Sequence, residues 1–317
     1  MFGHYDWWHF AVFLAGVAGC LYVDLRAHKR DEAISVKNAL LWSLVWIASS
    51  LCFAAYIALT HGIQDASLFL AGWLLEKSLS VDNLFVIMAI FSSFAIKDAF
   101  QHRVLYYGIL GALVLRMAFV AAGSSLVALF GSYALAGFGV FVLWSAWKMW
   151  QHMGKDEEDI EDYTNHWAVA WTRKFLPVHN RMDGHNFFVM VQDGARLVRK
   201  ATPLFLCLVV VEISDIMFAF DSVPAVIAIT REPFLVYTSN IFAILGLRSL
   251  YFLLAAAKRL LCRLEMAVII ILVYIGLKML LEVAGFIHMT PLFSLMVVLL
   301  LLAGGVVASL VWPNGKK

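Results

Sequence analysis

Charge is the first thing this chain has little of. Only 15% of its 317 residues are Asp, Glu, Lys or Arg, while 62% are hydrophobic. That ratio excludes a soluble globular domain, which needs far more polar surface. The net charge is only +2, so no basic excess marks a nucleic-acid partner. Cysteine is scarce as well. Cys20, Cys52, Cys207 and Cys262 are scattered without CxxC spacing, which excludes a disulfide framework and a zinc site and leaves them as small apolar side chains. The segment Met1 to His9 holds no Lys or Arg, so the first apolar run reads as a permanent helix rather than a cleavable signal peptide. Histidine is absent from the segments carrying Ser78, Ser80, Ser214 and Ser222. Without a base beside a hydroxyl, no nucleophile is formed, and an enzyme is not expected.

What is present is a series of long apolar runs, at 8–24, 38–60, 67–92, 104–125, 131–150, 202–229, 234–257, 264–285 and 291–312. Each is near the length that crosses a bilayer. The expected fold is therefore an all-α polytopic membrane protein of about nine transmembrane helices, a single transporter domain over 1–317. Basic residues cluster in alternate loops: Arg26 to Lys37, Lys97 with Arg103, Lys155 to Lys200, Lys258 to Arg263, and Lys316-Lys317. Of the intervening loops only one carries a basic residue, Arg231. By the positive-inside rule the N-terminus faces out and the C-terminus faces the cytoplasm. The loop at 151–200 opens with the acidic run Asp156 to Asp162, which reads as a solvated segment. It closes with Asp193-Gly194 between two apolar runs, the signal of a small cytoplasmic β-hairpin.

Two of the runs contain carboxylates where a membrane span should have none. The first reads Glu76-Lys77-Ser78-Leu79-Ser80-Val81-Asp82-Asn83. The second reads Glu212-Ile213-Ser214-Asp215, followed after five more residues by Asp221-Ser222-Val223-Pro224. A carboxylate at bilayer depth costs at least a few kcal/mol unless it is paired, hydrated or bound to a cation. The pattern acid, five residues, Asp occurs at 76/82 and again at 215/221. Arg116 and Arg248 follow in order, then Lys148-Met149 and Lys278-Met279, each pair about 130–140 residues apart. This reads as a duplication, with repeats at 67–150 (helices 3–5) and 201–285 (helices 6–8). Three helices per copy make the second copy inverted, a common plan of secondary transporters with a midplane site.

On a straight helix Glu76 and Asp82 point roughly 120° apart. Convergence of all five acids therefore predicts breaks, at Asp82-Asn83 and at Pro224. The candidate ligands are Glu76, Asp82, Glu212, Asp215 and Asp221. Arg116 and Arg248 can neutralise two of them, leaving a deficit suited to a divalent cation. All-oxygen ligation fits Mg²⁺, Ca²⁺ or Mn²⁺. Met88 and Met217 lie near the acids, where a soft ligand favours Mn²⁺ and plain packing is the bland alternative. Lys77 can snorkel or pair locally. Salt bridges that only lock the bundle, and a metal-free proton relay, are the other readings.

At these residues the chain resembles the TerC family of integral membrane proteins, and within it the Alx-type members. The resemblance rests on Leu75 to Val86, with Ser78 and Asn83; on Glu212 to Ala225, with Ser222 and Pro224; and on Thr238 to Arg248, with Asn240. It implies membership of the lysine-exporter-like transporter superfamily and a bacterial inner-membrane protein exporting a divalent cation, most plausibly Mn²⁺, with proton exchange. The metal is then substrate, and no tightly bound cofactor is expected. The alternatives are a Ca²⁺/H⁺ exchanger, and a scaffold or insertion factor whose acids are structural.

Overall fold

The computed structural model describes residues 5–27, 36–152, 163–179, 184–193, 196–257 and 264–311. The acidic run at 156–162 lies outside them. The apolar runs fold as helices α1 (Trp7–Ala27), α2 (Val36–His61), α3 (Ile63–Ser93), α4 (Asp98–Phe130) and α5 (Ser132–His152). A 3₁₀ turn, Tyr163–Asn165, leads into a short helix α6 (Trp167–Phe175). Strands β1 (Phe188–Asp193) and β2 (Arg196–Ala201) pair antiparallel, Phe188 opposite Ala201 and Asp193 opposite Arg196. Then follow α7 (Pro203–Ile229), α8 (Pro233–Ile244), α9 (Leu247–Ala257), α10 (Leu264–Val283) and α11 (Pro291–Val311). The protein is thus an all-α polytopic membrane protein with one small hairpin.

Among the described residues, five helices are long and apolar enough to cross a membrane, or six if α8 and α9 form one bent span. This is fewer than the nine runs expected. In α3 the cause is plain: every eighteen-residue stretch contains at least three of Asp65, Glu76, Lys77 and Asp82. In α1 the apolar part described, Trp7–Val23, is short.

The expected breaks at Asp82-Asn83 and Pro224 do not occur: α3 and α7 run unbroken through both. Hydroxyls along these helices bond back to the carbonyl four residues earlier, Ser78 to Leu74, Ser80 to Glu76 and Ser214 to Val210. They satisfy themselves within the helix rather than unwinding it. Neighbouring helices likewise let a spanning helix absorb a proline.

The break falls instead in the run expected as one helix over 234–257. Helices α8 and α9 meet at a 45° bend, where Gly246 adopts φ +82°. Only glycine holds that conformation without strain. A Cβ there would also collide with the buried ring of Trp46 on α2.

Packing places α3 at the centre, against α2, α7, α8 and α11. Helix α4 packs on α7 and α8, and α5 packs on α10. In the α5–α10 contact Gly139 and Gly276 face each other, and a Cβ on Gly276 would lie 3.1 Å from the Gly139 carbonyl oxygen. Small residues permit such close approach of membrane helices.

Candidate functional site

Four helices converge on one guanidinium. Arg116, on α4, is 1% exposed and lies at the centre of α3, α7 and α8. Its Nη1 forms an ion pair with Glu76 of α3, which is fully buried. The same nitrogen donates to Ser222 Oγ of α7 and to Asn240 Oδ1 of α8, both at 3.2 Å. Its Nη2 donates to Asp215 Oδ1 at 3.1 Å. A buried charge persists only when paired and hydrogen-bonded, and the planar fork of arginine reaches several acceptors at once.

The structure therefore brings together Glu76, Arg116, Asp215, Ser222 and Asn240. Glu212 lies one turn before Asp215 on the same face of α7. Its carboxylate rests against Gly111 of α4, where an added methyl group would overlap it. Glu212 Oε2 and Asp215 Oδ2 are both buried and accept no hydrogen bond from any described residue. Such orphaned acceptors are rare in folded proteins and call for a partner.

Other expected residues make different contacts. Among the described residues Lys77 pairs with no acid. Its ammonium donates to the carbonyls of Ala243 (2.9 Å) and Leu245 (3.3 Å). These are the carbonyls left open where α8 ends, so Lys77 caps the break and complements the negative end of the helix. Ser78 is satisfied by its own helix, and Asn83 is buried in α3. Pro224 lines an apolar cavity of about 500 Å³ with Phe130, Phe141 and Phe220. Arg248 is buried at the start of α9. The side chains of Asp82 and Asp221 lie outside the described residues. Among the described residues no three His, Cys, Asp or Glu side chains are placed to hold one metal ion.

The lysine cap and the Gly246 break were missed in the sequence. A glycine inside an apolar run was the available signal for the break. Nothing in the local sequence tied Lys77 to residues more than 160 positions away.

Residues 61–317 match the integral membrane protein TerC family. The chain belongs to the TerC family. It is 45% identical to the tellurium resistance protein TerC of Serratia marcescens, over 96% of this chain and 93% of that protein. It is 41% identical to the putative membrane-bound redox modulator Alx of Photorhabdus laumondii, over 98% of this chain and 96% of that protein. To the Alx of Escherichia coli K12 it is 43% identical, over 92% of this chain and 90% of that protein. No solved structure matches. The family match opens at the end of α2, so it contains every helix that contributes to the Arg116 cluster in this TerC family protein.

Proposed function

We propose that this protein is a secondary transporter that exports a divalent cation, Mn²⁺ first among them, across the bacterial inner membrane in exchange for protons. The observation that carries this reading is the pair of orphaned buried carboxylate oxygens, Glu212 Oε2 and Asp215 Oδ2. Asp215 shares Arg116 with a third acid, Glu76. Hard oxygen donors in this arrangement suit Mg²⁺, Ca²⁺ or Mn²⁺. Asp82 and Asp221 complete the proposed ligand set.

The inverted repeat belongs to the same proposal, with α3–α5 as one copy, α7 to α10 as the other, and all nine apolar runs crossing the membrane. The packing supports it by exchange of partners. The first helix of each copy packs on the second of the other, α3 on α8 and α7 on α4, while α5 meets α10. On this reading the N-terminus lies outside and the C-terminus in the cytoplasm. A reporter fused after Lys317 is expected to be active only in the cytoplasm, and activity on the outer face would overturn the orientation.

The deciding experiment is uptake by purified protein in sealed vesicles, comparing Mn²⁺, Ca²⁺, Mg²⁺ and Zn²⁺ from acid to alkaline pH. Carboxylates bind metal only when deprotonated, so affinity is expected to rise with pH and binding to release protons. Asp82→Asn and Gly111→Ala are each expected to abolish or sharply reduce transport while the protein still folds, because the Glu212 carboxylate is a flexible end that can yield to the new methyl group. Wild-type transport in both variants, or an affinity flat across pH, would reject the reading. A second reading has its own observation: Arg116 already pairs with both Glu76 and Asp215, offsetting one of their two charges, and ties four helices together, as a scaffold would require. Folded protein that moves no cation under any condition would favour it.

A further inference from the structure

Helix α6 is the element that neither the transport reading nor the family match explains. Its nine residues divide into three faces. Ala168, Val169 and Thr172 are buried. Trp167, Trp171 and Phe175 recur every four residues and are 61%, 58% and 64% exposed. Arg173 and Lys174 are exposed in its last turn. At 100° per residue the aromatic stripe is centred about 110° from the buried face, and the basic pair occupies the remaining arc.

The depth of the helix is fixed by its neighbours. The buried face joins the apolar cluster that contains Leu204 and Cys207, in the first two turns of α7. The chain leaving α6 is pinned to the last residue of β2, two positions before α7: Ala201 N donates to Pro177 O and His179 N to Ala201 O, both at 2.8 Å. Helix α7, from Pro203, is long and apolar enough to cross a membrane, and a span starting there sets α6 level with the point where the chain enters the bilayer.

We propose that α6 is an interfacial helix that lies flat on the lipid surface at the α7 entry. Its aromatic stripe sits among the upper acyl chains and its basic pair among anionic headgroups. Each face then meets one medium: the bundle, the hydrocarbon edge and water. Tryptophan is the residue enriched at that depth. A short amphipathic helix with basic residues opposite or beside aromatic ones binds in this plane. The inference needs only a membrane-spanning α7 and stands whether or not the protein transports metal.

The test uses full-length protein in vesicles of phosphatidylethanolamine and phosphatidylglycerol. Nitroxide labels are placed at Trp171→Cys or Arg173→Cys, with the four native cysteines replaced by Ala. Collision with oxygen is expected to dominate at position 171, at a depth of about 5–10 Å below the headgroups. Collision with a water-soluble nickel complex is expected to dominate at 173. Equal nickel access at both positions would overturn the proposal. So would a label at 171 shielded from both reagents, which would mean that protein covers the stripe. A second measurement avoids labelling. In Trp167→Phe/Trp171→Phe protein, the part of the tryptophan emission quenched by lipids brominated high on the acyl chain should fall, and an unchanged quenched fraction would also overturn it.

Discussion

Arg116→Ala is expected to destabilise the protein by about 3–5 kcal/mol, because it strands buried Glu76 and Asp215 without their counter-charge. The loss should appear as a lower midpoint of thermal unfolding in detergent and a lower yield from membranes. Arg116→Lys should rescue only part of it. A single ammonium cannot reproduce the spread of contacts from Nη1 to Glu76, Ser222 and Asn240 and from Nη2 to Asp215. The pair can be isolated by a double-mutant cycle. Glu76→Gln should cost much less in the Arg116→Ala background than alone, since residues in one buried network are not additive. Full additivity, or an Arg116→Ala protein that melts with the wild type, would show that the guanidinium is peripheral.

The second large effect is expected at the bend. Gly246→Ala introduces a side chain at φ +82° and drives it into Trp46. A left-handed residue costs about 1–2 kcal/mol, and overpacking a filled site about 1–3 kcal/mol. A combined loss of roughly 2–5 kcal/mol follows, read again as the unfolding midpoint. Trp46→Ala should relieve the collision and leave the backbone strain, so the double variant should lose less than the sum of its parts. A Gly246→Ala protein of wild-type stability would mean that α8 and α9 can join into one straight helix.

Much of this architecture was legible because membrane helices announce themselves by length and apolarity. The acids stood out because charge is expensive in hydrocarbon. Glu76, Asp215 and Arg116 could be singled out from their positions alone, and the structure places them in contact. Ser222 was in view beside Asp221, but Asn240 reached the same cluster only through a family motif, since an amide on an apolar helix carries no local mark of its role. What was not legible depended on distant neighbours. Asp82-Asn83 and Pro224 are potential breakers, yet back-bonded serines and close neighbours keep α3 and α7 continuous. At the Gly246 break the ring of Trp46, 200 positions away, leaves no room for a side chain, and Lys77 acquires its role from carbonyls where another helix ends. Helix α6 was hidden for a different reason. Its residues fell in a stretch read as a loop, although the i, i+4, i+8 spacing of Trp167, Trp171 and Phe175 was visible.

The guanidinium held among Glu76, Asp215, Ser222 and Asn240 is a cation that cannot diffuse away. Being tethered, it faces those oxygens at a fixed effective concentration, whatever the salt outside. A transporter must also make its return stroke without cargo, and an anionic pocket crossing hydrocarbon alone would add a barrier of several kcal/mol per unmatched charge. With Arg116 in place, a pocket of the proposed kind would keep one of its negative charges matched when empty. In a cycle of this kind the resident arginine would govern the speed of the empty return as much as the strength of loading.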